Sequence, residues 1–237
     1  MKLSAPVYQL KRKAKRLSRD GKIPLHEALD RIARLEGYAC WSLLAAKLCE
    51  TTPADRLFQS LKPGDLLLVG ARPGHGKTLM SLRLAVEAMK SGHRAAFFTL
   101  EYTQAQVLDR FRVIGAEYRQ FERLFTFDCS DAICAGYIME KMAAAPRGTL
   151  VVVDYLQLLD QKRENPDLSV QVRALQSFAR ERGVIVVFIS QIHREYEASN
   201  KPLPDLADIR LPNPVDLRLF TKTCFLNNGE VRFEGVG

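Results

Sequence analysis

The sequence lacks the long apolar runs and the cysteine patterns that distinguish membrane proteins and disulfide-rich proteins from ordinary globular proteins. No apolar run approaches the roughly 18 to 20 residues of a transmembrane helix, and no continuous apolar stretch follows the basic N-terminal residues as it would in a secretory signal. The five cysteines are odd in number and have no C-x-x-C spacing, which argues against a zinc site or a disulfide framework. We therefore expect reduced thiols, a cytoplasmic location and no membrane partner.

The positive charge is unevenly distributed along the 237 residues. The net charge is +8, and residues 1–60 contain 12 Lys/Arg against 6 Asp/Glu, which leaves +2 for the remaining 177 residues. Such asymmetry predicts that the N-terminal part contacts nucleic acid or another acidic partner. A solvated face or a subunit contact would explain the same charges.

The N-terminal part has the hydrophobic pattern of a small helical module. Residues 2–22 predict a basic amphipathic helix, and residues 24–50 predict a helix-turn-helix pair interrupted at Gly37. We expect Trp41 to anchor a core rather than to stack on bases, and two helices alone are a weak indication of DNA reading. A boundary near Pro53 divides the chain into a basic helical module (1–52) and a nucleotide-binding domain (53–237).

The larger domain alternates predicted strands and helices. After the helix that follows residue 78, strands are predicted at 94–100, 123–128, 149–154 and 184–190, with helices at 104–118, 132–145 and 168–182. A hairpin around Asn227-Asn228-Gly229, between 218–226 and 230–233, closes the chain. The alternation predicts an α/β fold with a mostly parallel central sheet flanked by helices.

Residues 65–80, DLLLVGARPGHGKTLM, predict a phosphate-binding loop between a buried strand and a helix. Glycines allow backbone N–H groups to converge on a phosphate at the helix N-terminus, while a lysine supplies a cation and a threonine hydroxyl supplies a ligand for Mg²⁺. A helix-capping turn would explain the glycines but not the Lys-Thr pair. The predicted nucleotide-binding residues are Ala71, Arg72, Pro73, Gly74, His75, Gly76, Lys77 and Thr78.

Three polar residues follow apolar strands at the edge where the phosphate loop must lie. Asp154 ends LVVVD and is predicted to hold Mg²⁺ together with Thr78. Glu101, after FFTL, is a candidate to orient and deprotonate water, although a surface glutamate is an equal alternative. Gln191, after VVFIS, is placed to sense a γ-phosphate. Lys77, Glu101 and Gln191 are thus the predicted catalytic residues.

Four segments, ARPGHGKT, FFTLEYT, VVVDYLQLL and ISQIHR, occur in this order between about Leu61 and Arg194. They resemble the ATPase motifs of the RecA-like domain of DnaB-type replicative helicases. The resemblance implies a RecA-like P-loop fold that uses ATP and Mg²⁺, with Glu101 as the catalytic glutamate, Asp154 as the Walker B acid and Gln191 as the switch glutamine. It further implies a hexameric ring with ATP at subunit interfaces.

The same resemblance implies single-stranded DNA in the central channel of the ring. Residues 161–167 and 192–206 would then face the DNA. These two loops carry Lys162, Arg163, His193, Arg194 and Lys201, which suits phosphate contact. Solvated loop charges would explain any one of them equally well.

The chain departs from the family near its C-terminus. DnaB-type proteins supply an arginine finger and a lysine to the neighbouring site from a Lys-x-Arg-Asn-Gly run, and here Phe225 and Asn227 stand at those positions. Lys222 and Arg218 are candidate replacements.

The departure leaves two principal functions open. One is a plasmid- or phage-borne, DNA-directed helicase or translocase ATPase. The other is a nucleotide switch with little hydrolysis that regulates assembly or a replication partner. A recombinase-like filament would share the fold, although the motifs are closer in wording to those of the helicases.

Overall fold

The computed structural model describes residues 4, 7–50, 52–160, 164–199, 201–211 and 213–236. Contacts between residues divide the chain into two compact units, Met1–Thr52 and Pro53–Gly237. Each unit has a hydrophobic core of its own. Within the described ranges, no helix combines the length and the apolar character that crossing a membrane requires.

The N-terminal unit contains the helices α1 (Val7–Asp20), α2 (Leu25–Leu35) and α3 (Trp41–Glu50). The predicted basic helix and the predicted helix pair are therefore confirmed. A small core joins α1 to α2 through Leu10, Ala14, Ala28 and Ile32. Trp41 packs against this cluster but is only partly buried, and its backbone N–H donates to Asp30 Oδ1 over 2.7 Å.

The second unit begins with a short helix, α4 (Pro53–Ser60), and then alternates strands with helices. The strands are β1 (Leu66–Ala71), β2 (Ala95–Thr99), β3 (Phe125–Asp128), β4 (Leu150–Asp154), β5 (Ile185–Gln191), β6 (Lys222–Asn227) and β7 (Glu230–Gly235). The helices between them are α5 (Lys77–Lys90), α6 (Gln104–Val113), α7 (Ala135–Lys141) and α8 (Leu168–Arg182).

The strands form one seven-stranded sheet in the order β3-β2-β4-β5-β1-β6-β7. All neighbouring strands are parallel except the β6–β7 hairpin, which confirms the predicted sheet. In register, Ala71 pairs with Gln191, and Thr99 pairs with Asp154. Because parallel strands end at a common edge, these residues lie along one edge of the sheet.

Both faces of the sheet are covered, which explains why its central strands are continuously apolar. Successive residues of a strand point to opposite faces. Accordingly, Leu67 belongs to one core cluster with Leu82 of α5, and Leu66 belongs to the other with Leu175 of α8. Each fully buried leucine contributes roughly 1.5–3 kcal/mol, so the apolar runs that predict the strands also hold the layers together.

Several element ends differ from the sequence prediction. The helix predicted over 104–118 ends at Val113, because Gly115 adopts a φ of 74° just after it. The helix predicted over 132–145 covers only Ala135–Lys141. The strand predicted from residue 218 begins at Lys222, since residues 217–219 form a 3₁₀ turn to which Asp216 provides the N-cap hydrogen bond. Local capping and turn bonds decided these ends, and hydrophobic spacing does not report them.

Candidate functional site

The predicted phosphate loop joins the end of β1 to the start of α5. Gly74 and Gly76 have φ angles of 81° and 85°, a region that glycine adopts without steric cost. Gly76 is the N-cap residue of α5, and no side chain caps this end of the helix. The first N–H groups of α5 therefore lack helical acceptors and stand at the positive end of the helix dipole. This is the arrangement that binds phosphate at a helix N-terminus.

The two residues that open α5 lie against the end of β4. Lys77 and Thr78 are 8% and 6% exposed, and Asp154, the last residue of β4, is fully buried. Thr78 Oγ1 donates a hydrogen bond to Asp154 Oδ2 over 3.2 Å. The structure thus brings the two predicted metal ligands into direct contact across 76 residues of chain.

The surroundings of Asp154 disfavour the ionised form of its carboxyl group. Burial, and next the charge of Glu101, raise the pKa of Asp154 from 3.8 to about 7, whereas the charge of Lys77 and the hydrogen bond from Thr78 oppose the rise. Its Oδ1 atom is buried and has no hydrogen-bond partner within the described residues. A bound cation would satisfy this oxygen and favour the ionised form.

The donor set around Asp154 fits Mg²⁺. A threonine hydroxyl and a carboxylate are hard oxygen ligands, and Mg²⁺ commonly takes one or two protein ligands together with water and substrate phosphates. Among the described residues, no group of three or more His, Cys, Asp or Glu side chains is arranged to hold a metal. Any metal here would therefore complete its coordination with water or with a bound ligand.

Glu101 lies two residues beyond β2, because that strand ends at Thr99 rather than at the predicted position. The Glu101 backbone N–H donates to Thr99 Oγ1 over 3.0 Å, which ties the turn to the strand that borders β4. Its side chain is exposed, yet its charge contributes to the raised pKa of Asp154. The glutamate is thus free to meet a ligand and close enough to act on the buried carboxyl.

Gln191 is the last residue of β5 and pairs with Ala71 at the start of the phosphate loop. Its carbonyl accepts a hydrogen bond from the Arg210 backbone N–H over 2.8 Å. A cavity of about 230 Å³ is lined by Gln191, Arg210, Tyr155 and Gln157. The glutamine therefore links the edge of the sheet to the segment that returns from residue 192 to residue 210.

A second cavity, of about 370 Å³, opens directly onto the phosphate loop and is lined by Gly74, Gly76, Lys77, Thr78, Leu79, Tyr102, Asp109, Arg110 and Val113. Motif reasoning missed the contribution of α6. The Arg110 guanidinium carbon lies 3.8 Å from the centre of the Tyr102 ring, a cation–π contact that holds the cation beside the loop. The sequence offered one indication of Arg110, namely its place in the second turn of the helix predicted after Glu101.

Four of the predicted nucleotide-binding residues, Ala71, Arg72, Pro73 and His75, do not line this cavity in the described structure. Ala71 is a buried strand residue. The Arg72 guanidinium donates to the Ile192 carbonyl over 2.9 Å and forms an ion pair with Glu197 at 2.8 Å. His75 Nδ1 accepts a hydrogen bond from the Asn228 N–H over 3.2 Å. These side chains tie the loop to its surroundings.

The β6–β7 hairpin occupies the position where the family resemblance places a finger. Phe225 is buried, and its ring lies so close to Gly70 that a Cβ there would be 2.8 Å from it. The Asn227 amide donates to the Tyr196 hydroxyl over 3.1 Å and to the Pro202 carbonyl over 2.9 Å. Both residues therefore already have packing or hydrogen-bond partners in their own chain.

Neither suggested replacement for the finger lies at the edge of the phosphate loop. Lys222 starts β6 and pairs with Leu67, at the opposite end of the strands. Arg218 precedes it and is bound to Asp216 through a contact of 2.9 Å between Nε and Oδ1. Among the described residues, Arg110 is instead the cation that lines the loop cavity with Lys77.

The basic residues predicted to face DNA differ in their availability. Lys162 and Arg163 lie outside the described residues. Arg194 is exposed at the start of a 3₁₀ turn, Arg194–Ala198, and His193 Nδ1 lies 3.6 Å from Glu195. Lys201 is held by Asp205 and Asp208 at 3.0 and 3.2 Å, and these contacts raise its pKa. Its charge is largely neutralised within the chain.

Known proteins with similar sequences include replicative helicases. The chain is 28% identical over 191 residues to the replicative DNA helicase DnaB of Geobacillus stearothermophilus, covering 67% of this chain and 42% of that protein. It is 30% identical to DnaB of Leifsonia xyli subsp. xyli, with the same coverage, and 25% identical to a probable plasmid replicative DNA helicase of Chlamydia trachomatis, covering 63% and 40%. The chain thus spans about two fifths of the length of these curated relatives.

Solved structures and a family model agree with this similarity. One solved ATPase domain has a TM-score of 0.55 at 21% identity, covering 69% of each chain. A DnaB-like replicative helicase, studied with its primase interactions, has a TM-score of 0.59 at 20% identity, covering 92% of this chain and 65% of that one. These likenesses confirm the RecA-like fold. The model of the DnaB-like helicase C-terminal domain matches residues 49–122 and 130–215, and the chain therefore belongs to this family.

Proposed function

We propose that the chain is a DNA-directed ATPase of the helicase or translocase type that hydrolyses ATP with Mg²⁺. The observation that carries the proposal is the contact between Thr78 and Asp154 beneath the phosphate loop, with the unpaired Asp154 Oδ1 and with Lys77 beside them. These groups form the cis half of a phosphoryl-transfer site. Membership of the helicase family supports the choice of reaction.

Each residue has a distinct part in the proposed reaction. The glycines and the N-terminus of α5 bind phosphate oxygens, while Lys77 neutralises charge on the transferred group. Thr78 and Asp154 would hold Mg²⁺, which would supply charge stabilisation to the transferred group. Glu101 orients the attacking water and accepts its proton, because its side chain is exposed and its charge acts on Asp154. Gln191 senses the γ-phosphate and transmits its loss to residues 192–210.

The whole-protein properties of the relatives are part of the same proposal. We infer that the chain assembles as a ring, with a hexamer as the expected form, and binds ATP at subunit interfaces. Single-stranded DNA would run through the channel, contacted by exposed cations such as Arg194. A replication protein, or a plasmid or phage protein, is the expected macromolecular partner. Localisation in the cytoplasm accords with these partners.

A specific observation favours a second function, a nucleotide switch with little turnover. Phe225 and Asn227 replace the cations of the family's finger run, and both are engaged within the chain. An absent finger lowers phosphoryl transfer by about 10³ or more in well-studied systems. ATP binding would then control assembly or partner binding without driving rapid turnover.

The deciding experiment is ATP hydrolysis by the purified protein with and without single-stranded DNA. Lys77→Ala serves as the blank, since it removes the phosphate-binding cation and keeps both proposed metal ligands, Thr78 and Asp154. Stimulated turnover that disappears in the blank supports the ATPase. Tight ATP binding without stimulated turnover rejects the motor in favour of the switch.

A further inference from the structure

The N-terminal unit carries a basic surface that the proposed ATPase site does not use. Residues Met1–Thr52 contain 11 Lys/Arg and 5 Asp/Glu, and α1 concentrates the positive charge. Exposed side chains cover the outer side of this helix. We define the basic face as Lys11, Arg12, Lys15, Arg16 and Arg19.

Helix geometry places these five side chains together. At about 100° per residue, they fall within an arc of roughly 140°, and the apolar stripe of Leu10, Ala14 and Leu17 lies on the opposite side. Leu10 and Ala14 are 1% and 0% exposed in the core shared with α2. Packing of the apolar stripe therefore fixes the direction in which the basic face points.

Among the residues that the structure describes, most charges of the basic face have no ion-pair partner. Within the described residues, the only ion pair on this face joins Arg16 to Asp20 at 3.5 Å, and both side chains are largely exposed. Such a pair contributes little, about 0–1 kcal/mol. The other four cations have no ion pair in the described structure. Four of the five side chains, all except Lys11, border a surface groove of about 670 Å³.

The density of charge points to a polyanion of comparable density. Lys11 and Arg19 are eight residues apart, so the five cations occupy about 12 Å of helix axis. Double-stranded DNA carries one negative charge per about 1.7 Å of its axis. We propose that the basic face of α1 binds the phosphate backbone of double-stranded nucleic acid, independently of sequence and of nucleotide.

Two other ligands fit the face less well. Single-strand binders stack successive bases on several aromatic side chains, whereas α1 contains one aromatic residue, Tyr8. Helices that lie on membranes insert a free apolar face, but Leu10 and Ala14 are already buried against α2. Duplex binding is also separate from the single-stranded DNA expected in the ATPase channel, so the inference goes beyond the proposed function.

The test is fluorescence anisotropy of a short labelled DNA duplex with the full chain, without ATP or Mg²⁺, between about 50 and 200 mM salt. Five phosphate contacts predict a slope of log K against log salt of about −4 to −5. The triple variant Arg12→Gln, Lys15→Gln and Arg16→Gln should lower the affinity at least about tenfold and bring the slope to about −2. Glutamine keeps the helix propensity of the original residues.

The matched control removes three exposed charges from the other unit, with Arg112→Gln, Arg119→Gln and Arg123→Gln. It should retain the affinity and slope of the original protein. Replacing Arg12 and Arg16 by lysine should also retain binding, because a point charge suffices for a phosphate. Circular dichroism of each variant checks that α1 remains folded.

Several results would overturn the inference. These are an unchanged slope in the triple variant, an equal loss in the control, a triple variant that loses single-strand binding but keeps duplex binding, and equal binding of anionic vesicles at the same salt. A triple variant that fails to fold leaves the decision to the lysine variants, in which loss of binding would reject a phosphate contact. Lys77→Ala must bind the duplex normally, which separates this outcome from that of the ATPase proposal.

Discussion

Two regions at the carboxyl edge of the sheet, the ends of β2 and β4 and the β6–β7 hairpin, differ in whether their polar groups already have partners. On one side, β4, β2 and the phosphate loop bring Asp154, Glu101 and Thr78 together around an unpaired carboxylate oxygen. On the other side, the β6–β7 hairpin presents Phe225 and Asn227, which are bound within the chain. The first region leaves Asp154 Oδ1 without a hydrogen-bond partner among the described residues, whereas the Asn227 amide in the hairpin already has two.

This difference teaches that the end of β4 leaves a buried carboxylate oxygen without a partner among the described residues, whereas the Asn227 amide at the end of β6 is hydrogen-bonded within its own chain. The cis side keeps a buried carboxyl whose ionisation is costly without a cation. The hairpin instead keeps hydrogen bonds and apolar contacts that stabilise the fold. The two sides can therefore be tested separately.

Loss of Glu101 should produce the largest effect. We expect Glu101→Gln to lower DNA-stimulated ATP turnover by about 10³, because general-base contributions are typically 10²–10⁴-fold. ATP binding should persist, since the phosphate loop is unchanged. Turnover and binding of a fluorescent ATP analogue are measured side by side. Glu122→Gln, an exposed change in the same unit, is the control, and equal turnover in the two variants would remove Glu101 from the reaction.

Asp154 should make the metal-free protein less stable as the pH rises. Its pKa is about 7 in the folded protein and 3.8 ordinarily, so the folded state favours the protonated carboxyl. The resulting stability is complete below about pH 4 and is lost as the pH rises through about 7, a change of a few kcal/mol. Urea unfolding in EDTA between about pH 5 and pH 8 measures it. Asp154→Asn should show a smaller decline over this range, and parallel curves for the two proteins would contradict the assignment.

Placing a cation at the end of the hairpin should make this region of the sheet edge more active toward a ligand. We expect Asn227→Arg to raise ATP turnover by about 10², less than the full worth of a native finger because its supporting contacts are missing. Asn227→Gln controls for loss of the hydrogen bonds to Tyr196 and Pro202. Turnover is assayed at saturating ATP and single-stranded DNA. An oligomeric arginine variant that binds ATP but gains no turnover would show that Asn227 does not face a neighbouring site.

The packing of the hairpin on β1 should give the smallest effect. Gly70→Ala brings a Cβ to 2.8 Å from the Phe225 ring, and we expect a loss of about 1–3 kcal/mol in the free energy of unfolding. Chemical denaturation measures the change. Adding Phe225→Leu should recover part of the loss, because the smaller side chain leaves room. Strictly additive losses in the double variant would show that the two residues do not interact.

Much of the fold could be predicted from apolar runs. The segments that contain β1, β4 and β5 are continuously apolar because helices cover both faces of the sheet, so their existence and their parallel pairing were predicted correctly. The end of α6 could not be predicted in the same way. Apolar residues continue at helical spacing past Val113, but the backbone at Gly115 turns out of the helix.

The candidate site divides in the same manner. Motif order predicted Lys77, Thr78 and Asp154 as candidate site residues, because a phosphate loop and a carboxylate at the end of a strand have recognisable local patterns. The motifs did not include Arg110, which lines the loop cavity because α6 lies beside the loop and the ring of Tyr102 packs against its guanidinium. Nor could spacing reveal that Arg72 and His75 bond to distant segments of the chain.

The amino-acid sequence by itself determined the α/β alternation, the phosphate loop and the basic character of α1, since each depends on residues close together along the chain. Tertiary structure alone decided that Asp154 is fully buried with a pKa of about 7 and that the end of the hairpin is bound to its own chain. The physical reason is that desolvation and hydrogen bonding depend on what surrounds an atom in space. Those surroundings come from strands and loops far apart in the sequence.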